Sequence, residues 1–144
     1  MRTLTLFVVG LFFLGSIFCM NYAIGQPAEK STQDYIAVYY FHGNFRCSNC
    51  LRIEQYSKEA IEQYFRDELS SGKLVFKVIN VEEKENEHFI KDYELYTKSL
   101  IITLIKNDKE IKFGNLIKVW EFLGNKQKFY DYVKGEITRY LKEL

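Results

Sequence analysis

Tyr35-Ile-Ala-Val-Tyr-Tyr-Phe-His-Gly-Asn-Phe-Arg-Cys-Ser-Asn-Cys50 decides how the rest of the chain is read. Its first seven residues are an unbroken run of β-branched and aromatic side chains, the pattern of a strand buried on both faces. His42-Gly43-Asn44 punctuates the run. Beyond the cysteines, Ile53, Tyr56, Ala60, Ile61, Tyr64, Phe65 and Leu69 recur at helical spacing, predicting one amphipathic helix from about residue 49 to 69. The cysteine pair therefore sits where a buried strand hands over to a helix.

Alternation of strand and helix continues outward. Gly72 suits the left-handed cap that ends the long helix. Leu74-Val-Phe-Lys-Val-Ile79 predicts a second strand, and the charged stretch Glu82–Glu87 a solvated loop leading into a short helix through Phe89, Ile90 and Tyr93. Leu100-Ile-Ile-Thr-Leu-Ile105 predicts a third strand, turned back by Lys106-Asn-Asp-Lys109 into Glu110–Phe113. Two apolar faces follow, Leu116 to Leu123 and Phe129 to Leu141, both read as helical. Trp120 fits the first face as core. Two βα units feeding a hairpin predict an α/β architecture, a mixed sheet covered on both faces.

Upstream, the chain is of another kind. Arg2 is the only charge before Glu29, and Leu4 to Phe18 is an apolar run of signal-peptide length. Ala23 and Gly25 place small residues where a signal peptidase needs them, so residues 1–25 read as a signal peptide cleaved after Gly25. The alternative is an uncleaved N-terminal membrane anchor, with membrane contact only through residues 4–24. Bulky Phe18 before Cys19 argues against a lipoprotein site. Either way the domain faces an exporting compartment, periplasmic or extracellular, where disulfides form. Residues 26–33 read as a polar linker holding Pro27, the one proline, and residues 34–144 as the domain.

The full chain has 144 residues, with 20 basic against 19 acidic side chains. Such a balance provides no basic face for nucleic acid. Eleven tyrosines and twelve phenylalanines exclude a disordered chain. With Cys19 in the leader, the domain keeps only Cys47 and Cys50.

A cysteine at a helix N-terminus lies beside unpaired backbone N–H groups and the positive end of the helix dipole, which favour thiolate. Arg46 adds a cation. A thiol of pKa about 8.5 is only about 3% thiolate at pH 7, against half for one lowered to about 7. Cys47 is thus the expected nucleophile and Cys50, one turn on, the resolving thiol of a thiol–disulfide oxidoreductase. As a mere staple the pair would do little, because closing so short a loop is worth about 2 kcal/mol against nearly 5 for a 100-residue loop. Two alternatives stay open. His42, Cys47 and Cys50 could form a Cys2His metal site in a copper-like carrier. The domain could equally be a redox-inert interaction module with a permanent disulfide. His88 reads as a surface residue. The exchange chemistry requires no cofactor, only a protein or small-molecule disulfide or dithiol partner.

The order of elements over residues 34–144, with CxxC at a helix start, resembles the thioredoxin superfamily. That resemblance implies a three-layer sandwich with a central mixed β-sheet. The stretch Val38 to Glu54, with its YYFHG…RC-x-x-C…IE pattern, and Tyr93 to Leu100 more narrowly resemble the nitrophenyl compound nitroreductase subunit, ArsF-type family. The narrower resemblance implies reduction of aromatic nitro groups, to which the dithiol would fit best as a subunit delivering electrons to a partner enzyme. Set against thioredoxins, Arg46 replaces a tryptophan and Ser48-Asn49 a Gly-Pro pair. Tyr39, Tyr40 and Phe41 supply no buried carboxylate; Glu54, four residues after Cys50, reads either as a substitute proton acceptor or as an exposed carboxylate. Thr97-Lys98-Ser99 occupies the substrate-facing loop where a thioredoxin has cis-proline. A non-proline cis bond costs about 2.5–4 kcal/mol, so a trans turn is expected there, with Lys98 either adding positive potential near Cys47 or facing solvent.

Overall fold

The computed structural model of the protein describes residues 33–144. The expectations for residues 1–25, and for the linker up to residue 32, lie outside the described residues. Among the described residues, no helix is long and apolar enough to cross a membrane.

Four strands form one sheet in the order β2-β1-β3-β4, with β1 at Tyr35–His42, β2 at Leu74–Asn80, β3 at Ser99–Lys106 and β4 at Lys109–Asn115. β1 runs parallel to β2 and antiparallel to β3, and β4 is antiparallel to β3. The sheet is mixed, as the two βα units and hairpin require. Asn107 and Asp108 both take positive φ, 50° and 59°, the backbone of a two-residue hairpin turn whose twist matches its strands.

Period-two alternation divides the sheet between two cores. Ile36, Val38 and Tyr40 face the same way as their β3 partners Leu104, Ile102 and Leu100. Over them pack α1, Ser48–Tyr64, through Ile53, Ala60 and Ile61, and α4, Lys126–Leu141, through Phe129, Val133 and Ile137. On the opposite face Phe41 and Ile101 meet Tyr93, Phe89 and Leu95 around the short α3, His88–Asp92. Helices on both faces of a central mixed sheet, in this strand order, make a thioredoxin-like α/β fold.

Two sequence expectations are corrected. The single helix over residues 49–69 is broken at Phe65, whose φ of −133° and ψ of 35° separate α1 from α2, Arg66–Ser70. The break turns Phe65 into the core at 4% exposure, whereas α2 buries no residue. The helix expected from Leu116 to Leu123 is two 3-10 turns, Ile117–Val119 and Glu121–Gly124. In 3-10 geometry residues three apart eclipse, so Leu116 and Val119 both reach the core while Ile117 stays 63% exposed. Gly72 does end α2 with φ of 75°.

Where α1 crosses α4, Glu59 accepts hydrogen bonds from Lys126 Nζ at 2.8 Å, the Tyr130 hydroxyl, and Gln55 Nε2 at 2.9 Å. These donors, Lys126 first, pull its carboxyl from 4.5 down to about 2. A depressed folded-state pKa means the contribution is complete above about pH 4.5 and disappears as pH falls toward 2. Glu59→Gln is therefore expected to flatten stability against pH in that window, read by urea denaturation at stepped pH. Gly114 carries a second expectation, because a Cβ there would lie 2.8 Å from the buried Tyr140 hydroxyl. Gly114→Ala should cost about 1–3 kcal/mol, and Tyr140→Phe in the same chain should restore most of it.

Candidate functional site

β1 leads straight to the site. The loop after it is tied to the end of β2, since Val81 N donates to the His42 carbonyl at 2.8 Å and Asn80 Nδ2 to Asn44 Oδ1 at 2.8 Å. A side chain at Gly43 would meet the end of the flexible Glu82 side chain, which would have to swing aside. Four residues on, Cys47 is the N-cap of α1. Its backbone is extended, its carbonyl accepts Leu51 N–H at 3.0 Å, and its Sγ accepts Cys50 N–H at 3.1 Å.

Cys47 and Cys50 are joined as a disulfide with Cα atoms 5.0 Å apart. The two cysteines differ in access: Cys47 is partly exposed, whereas Cys50 is 2% exposed. No acidic residue lies in the first turn of α1. A negative charge on Cys47 Sγ would thus meet the helix dipole and a backbone donor already in place. A partly exposed cysteine at a helix start, bonded to a buried one, can undergo thiol–disulfide redox chemistry.

The structure brings together two residues to which the sequence assigns separate roles. Arg46 Nη2 contacts Glu54 Oε2, with the side chains 26% and 28% exposed. The expected cation and the expected proton acceptor are one ion pair, joining the residue before Cys47 to the helix that Cys47 caps.

The Thr97-Lys98-Ser99 loop also comes to the site. No peptide bond among the described residues is cis. Ser99 Oγ donates to the Thr97 carbonyl at 2.9 Å, and Ser99 pairs with Phe41 across the sheet. Lys98 Nζ lies 6.0 Å from the ring centroid of Phe45, at the outer limit of a cation–π contact. A cleft of about 130 Å³ opens alongside, lined by Phe41, His42, Val81, Leu95, Thr97 and Lys98 among others.

Sequence reasoning missed three contributors. Tyr40 is wholly buried, and its hydroxyl donates to the Cys50 carbonyl at 2.7 Å. Burial pushes that phenol up to about 12, so it stays a neutral donor under the helix. Period-two alternation with Ile36 and Val38 is the signal that could have placed it on the face that α1 covers. Trp120 is more than core, because its indole N–H donates to the Lys98 carbonyl at 3.1 Å and holds that loop. Phe45, 75% exposed one residue before Arg46, is a large apolar side chain offered to solvent. No sequence signal distinguishes it from a buried aromatic.

Among the described residues, no group of three or more His, Cys, Asp or Glu is placed to hold a metal ion. His42 Nδ1 lies 2.9 Å from the Gly43 carbonyl. His88 is exposed, its ring 4.0 Å from that of Phe89.

No family model matches the chain, and no curated protein matches it. Solved structures similar to it include a thioredoxin of Fasciola hepatica, with 18% identity over 74% of this chain and 81% of that one and a TM-score of 0.44. The oxidised thioredoxin of Plasmodium falciparum is similar at 17% identity, 74% and 85% coverage and a TM-score of 0.44. A Schistosoma mansoni thioredoxin pre-protein is similar at 19% identity, 70% and 78% coverage and a TM-score of 0.41. At these values the fold assignment rests on strand order and element placement. The narrower resemblance to the ArsF-type nitroreductase subunit family is overturned: no family model and no curated protein of that family matches the chain.

The unequal access of the two cysteines has a direct readout. After reduction, iodoacetamide should modify Cys47 at least about tenfold faster than Cys50, since attack requires both thiolate and access. Peptide mass mapping after short exposure measures the ratio.

Proposed function

We propose that the protein is an exported thiol–disulfide oxidoreductase in which Cys47 exchanges with the partner and Cys50 resolves. One observation carries the reading: the partly exposed cysteine is the one that caps the helix and accepts the Cys50 N–H, while its bonded partner is buried. The leader-like sequence from Leu4 to Gly25 supports export, to the periplasm or the cell exterior.

The exchange balances without a cofactor. In the reducing direction, Cys47 thiolate attacks a partner disulfide, forming a mixed disulfide and releasing one partner thiolate, which takes a proton. Cys50 then loses its proton and attacks Cys47 Sγ. The second partner thiolate leaves, and the Cys47–Cys50 bond of the present structure is formed. Two electrons pass to the partner. In the oxidising direction a partner thiolate attacks Cys47 Sγ, the accessible end, and Cys50 departs. Partners are proteins or small molecules bearing a disulfide or dithiol, docking against Phe45 and the Thr97–Ser99 loop.

Two measurements test this. Cys50→Ser should trap a mixed disulfide through Cys47, whereas Cys47→Ser should trap none. Equilibration with glutathione should place the couple above about −300 mV. A lower potential, with no trapped species, would show a permanent disulfide and a redox-inert module instead.

A further inference from the structure

The Arg46–Glu54 pair spans from the residue before the nucleophile to the second turn of α1. The contacting atoms, Nη2 and Oε2, are closed off from solvent, and Arg46 Nε is buried without a hydrogen-bond partner among the described residues. A guanidinium therefore sits next in sequence to Cys47 with a donor unused and its charge matched by a carboxylate.

We infer that Glu54 withholds Arg46 from the Cys47 thiolate, which makes Glu54 a positioning residue that sets the redox equilibrium of the dithiol. This rests on the exchange chemistry proposed above.

The disulfide is neutral, so in the oxidised protein Arg46 and Glu54 compensate only each other. Reduction by two glutathiones, one as thiol and one as thiolate, passes two electrons to the sulfurs and yields glutathione disulfide; the thiol's proton ends on Cys50, and Cys47 is left as thiolate. That new negative charge gains little from a cation already neutralised. Take away the carboxylate charge, and Arg46 acts on the thiolate uncompensated. Take away the guanidinium, and Glu54 opposes the thiolate. The two single changes must act with opposite signs, because interaction in partly buried surroundings scales with the net charge of the pair.

Other charged and titratable groups flank this cluster. Tyr40 lies beneath it on β1, His42 ends β1, Lys98 reaches Phe45 from the facing loop, and Lys58 shares a surface groove with Glu54 on α1. All stay constant in the variants, so differences between them report the pair.

The competing role for Glu54 is proton acceptor for Cys50. That role would slow resolution of a mixed disulfide in Glu54→Gln but leave Cys47 unmoved. The test follows the alkylation rate of the reduced protein with iodoacetamide across pH, together with its equilibrium against glutathione. In Glu54→Gln the alkylation midpoint should move down by roughly one pH unit, and the equilibrium toward the dithiol by about three- to tenfold. In Arg46→Gln both should move the other way, and Arg46→Lys, which keeps the charge, should stay near the parent. Midpoints that move in the same direction, or do not move, overturn the inference. If the midpoints split as expected while the protein proves inert toward glutathione, the exchange reading fails and the charge coupling stands.

Discussion

β1 is hydrogen-bonded along both edges and covered on both faces, and the placement of the disulfide follows from that confinement. A strand held by β2 and β3, and packed between α1 and α3, has no freedom at its C-terminal end. The loop after it is short and tied down, so Cys47 emerges at a fixed point where α1 must begin. Apolar burial of β1 costs nothing in unpaired backbone, because every ladder position has a neighbour. The reactive group is therefore set by the stiffest part of the sheet, while Cys47 itself remains partly exposed.

Much of this order was legible because it depends on local pattern. The runs Tyr35–Phe41 and Leu100–Ile105 are too apolar for a one-sided strand, and both proved buried on two faces. The hairpin at Asn107-Asp108 and the cap at Gly72 were readable because positive φ restricts which residues can sit there. What escaped depended on tertiary contacts. Phe65 fits the helical period perfectly, yet the core takes its ring at the cost of the helix. The apolar residues from Leu116 to Leu123 satisfy a helical period and a 3-10 period alike, and Trp120 bonding to Lys98 belongs to neither.

At the site the division is the same. The cysteines were legible from spacing and from their place between strand and helix. Arg46 and Glu54 were each visible, but nothing in a one-dimensional pattern shows that two residues eight apart, one before the helix and one within it, would meet. Tyr40 was read only as the absence of a carboxylate. Its hydroxyl does something different, meeting a helix carbonyl that already has a place in the α1 ladder. The narrower family resemblance drew on the same segments as the fold, and a shared local pattern carried it further than the comparisons support.

The bond from the indole of Trp120 to the Lys98 carbonyl has a practical consequence. Trp120 is the only tryptophan in the chain, and indole emission responds to the polarity and hydrogen bonding around its N–H. Its fluorescence therefore comes from one place, the anchor of the loop opposite the disulfide. Any partner or change of oxidation state that pulls that loop away is recorded optically, without a label, by the protein's own light.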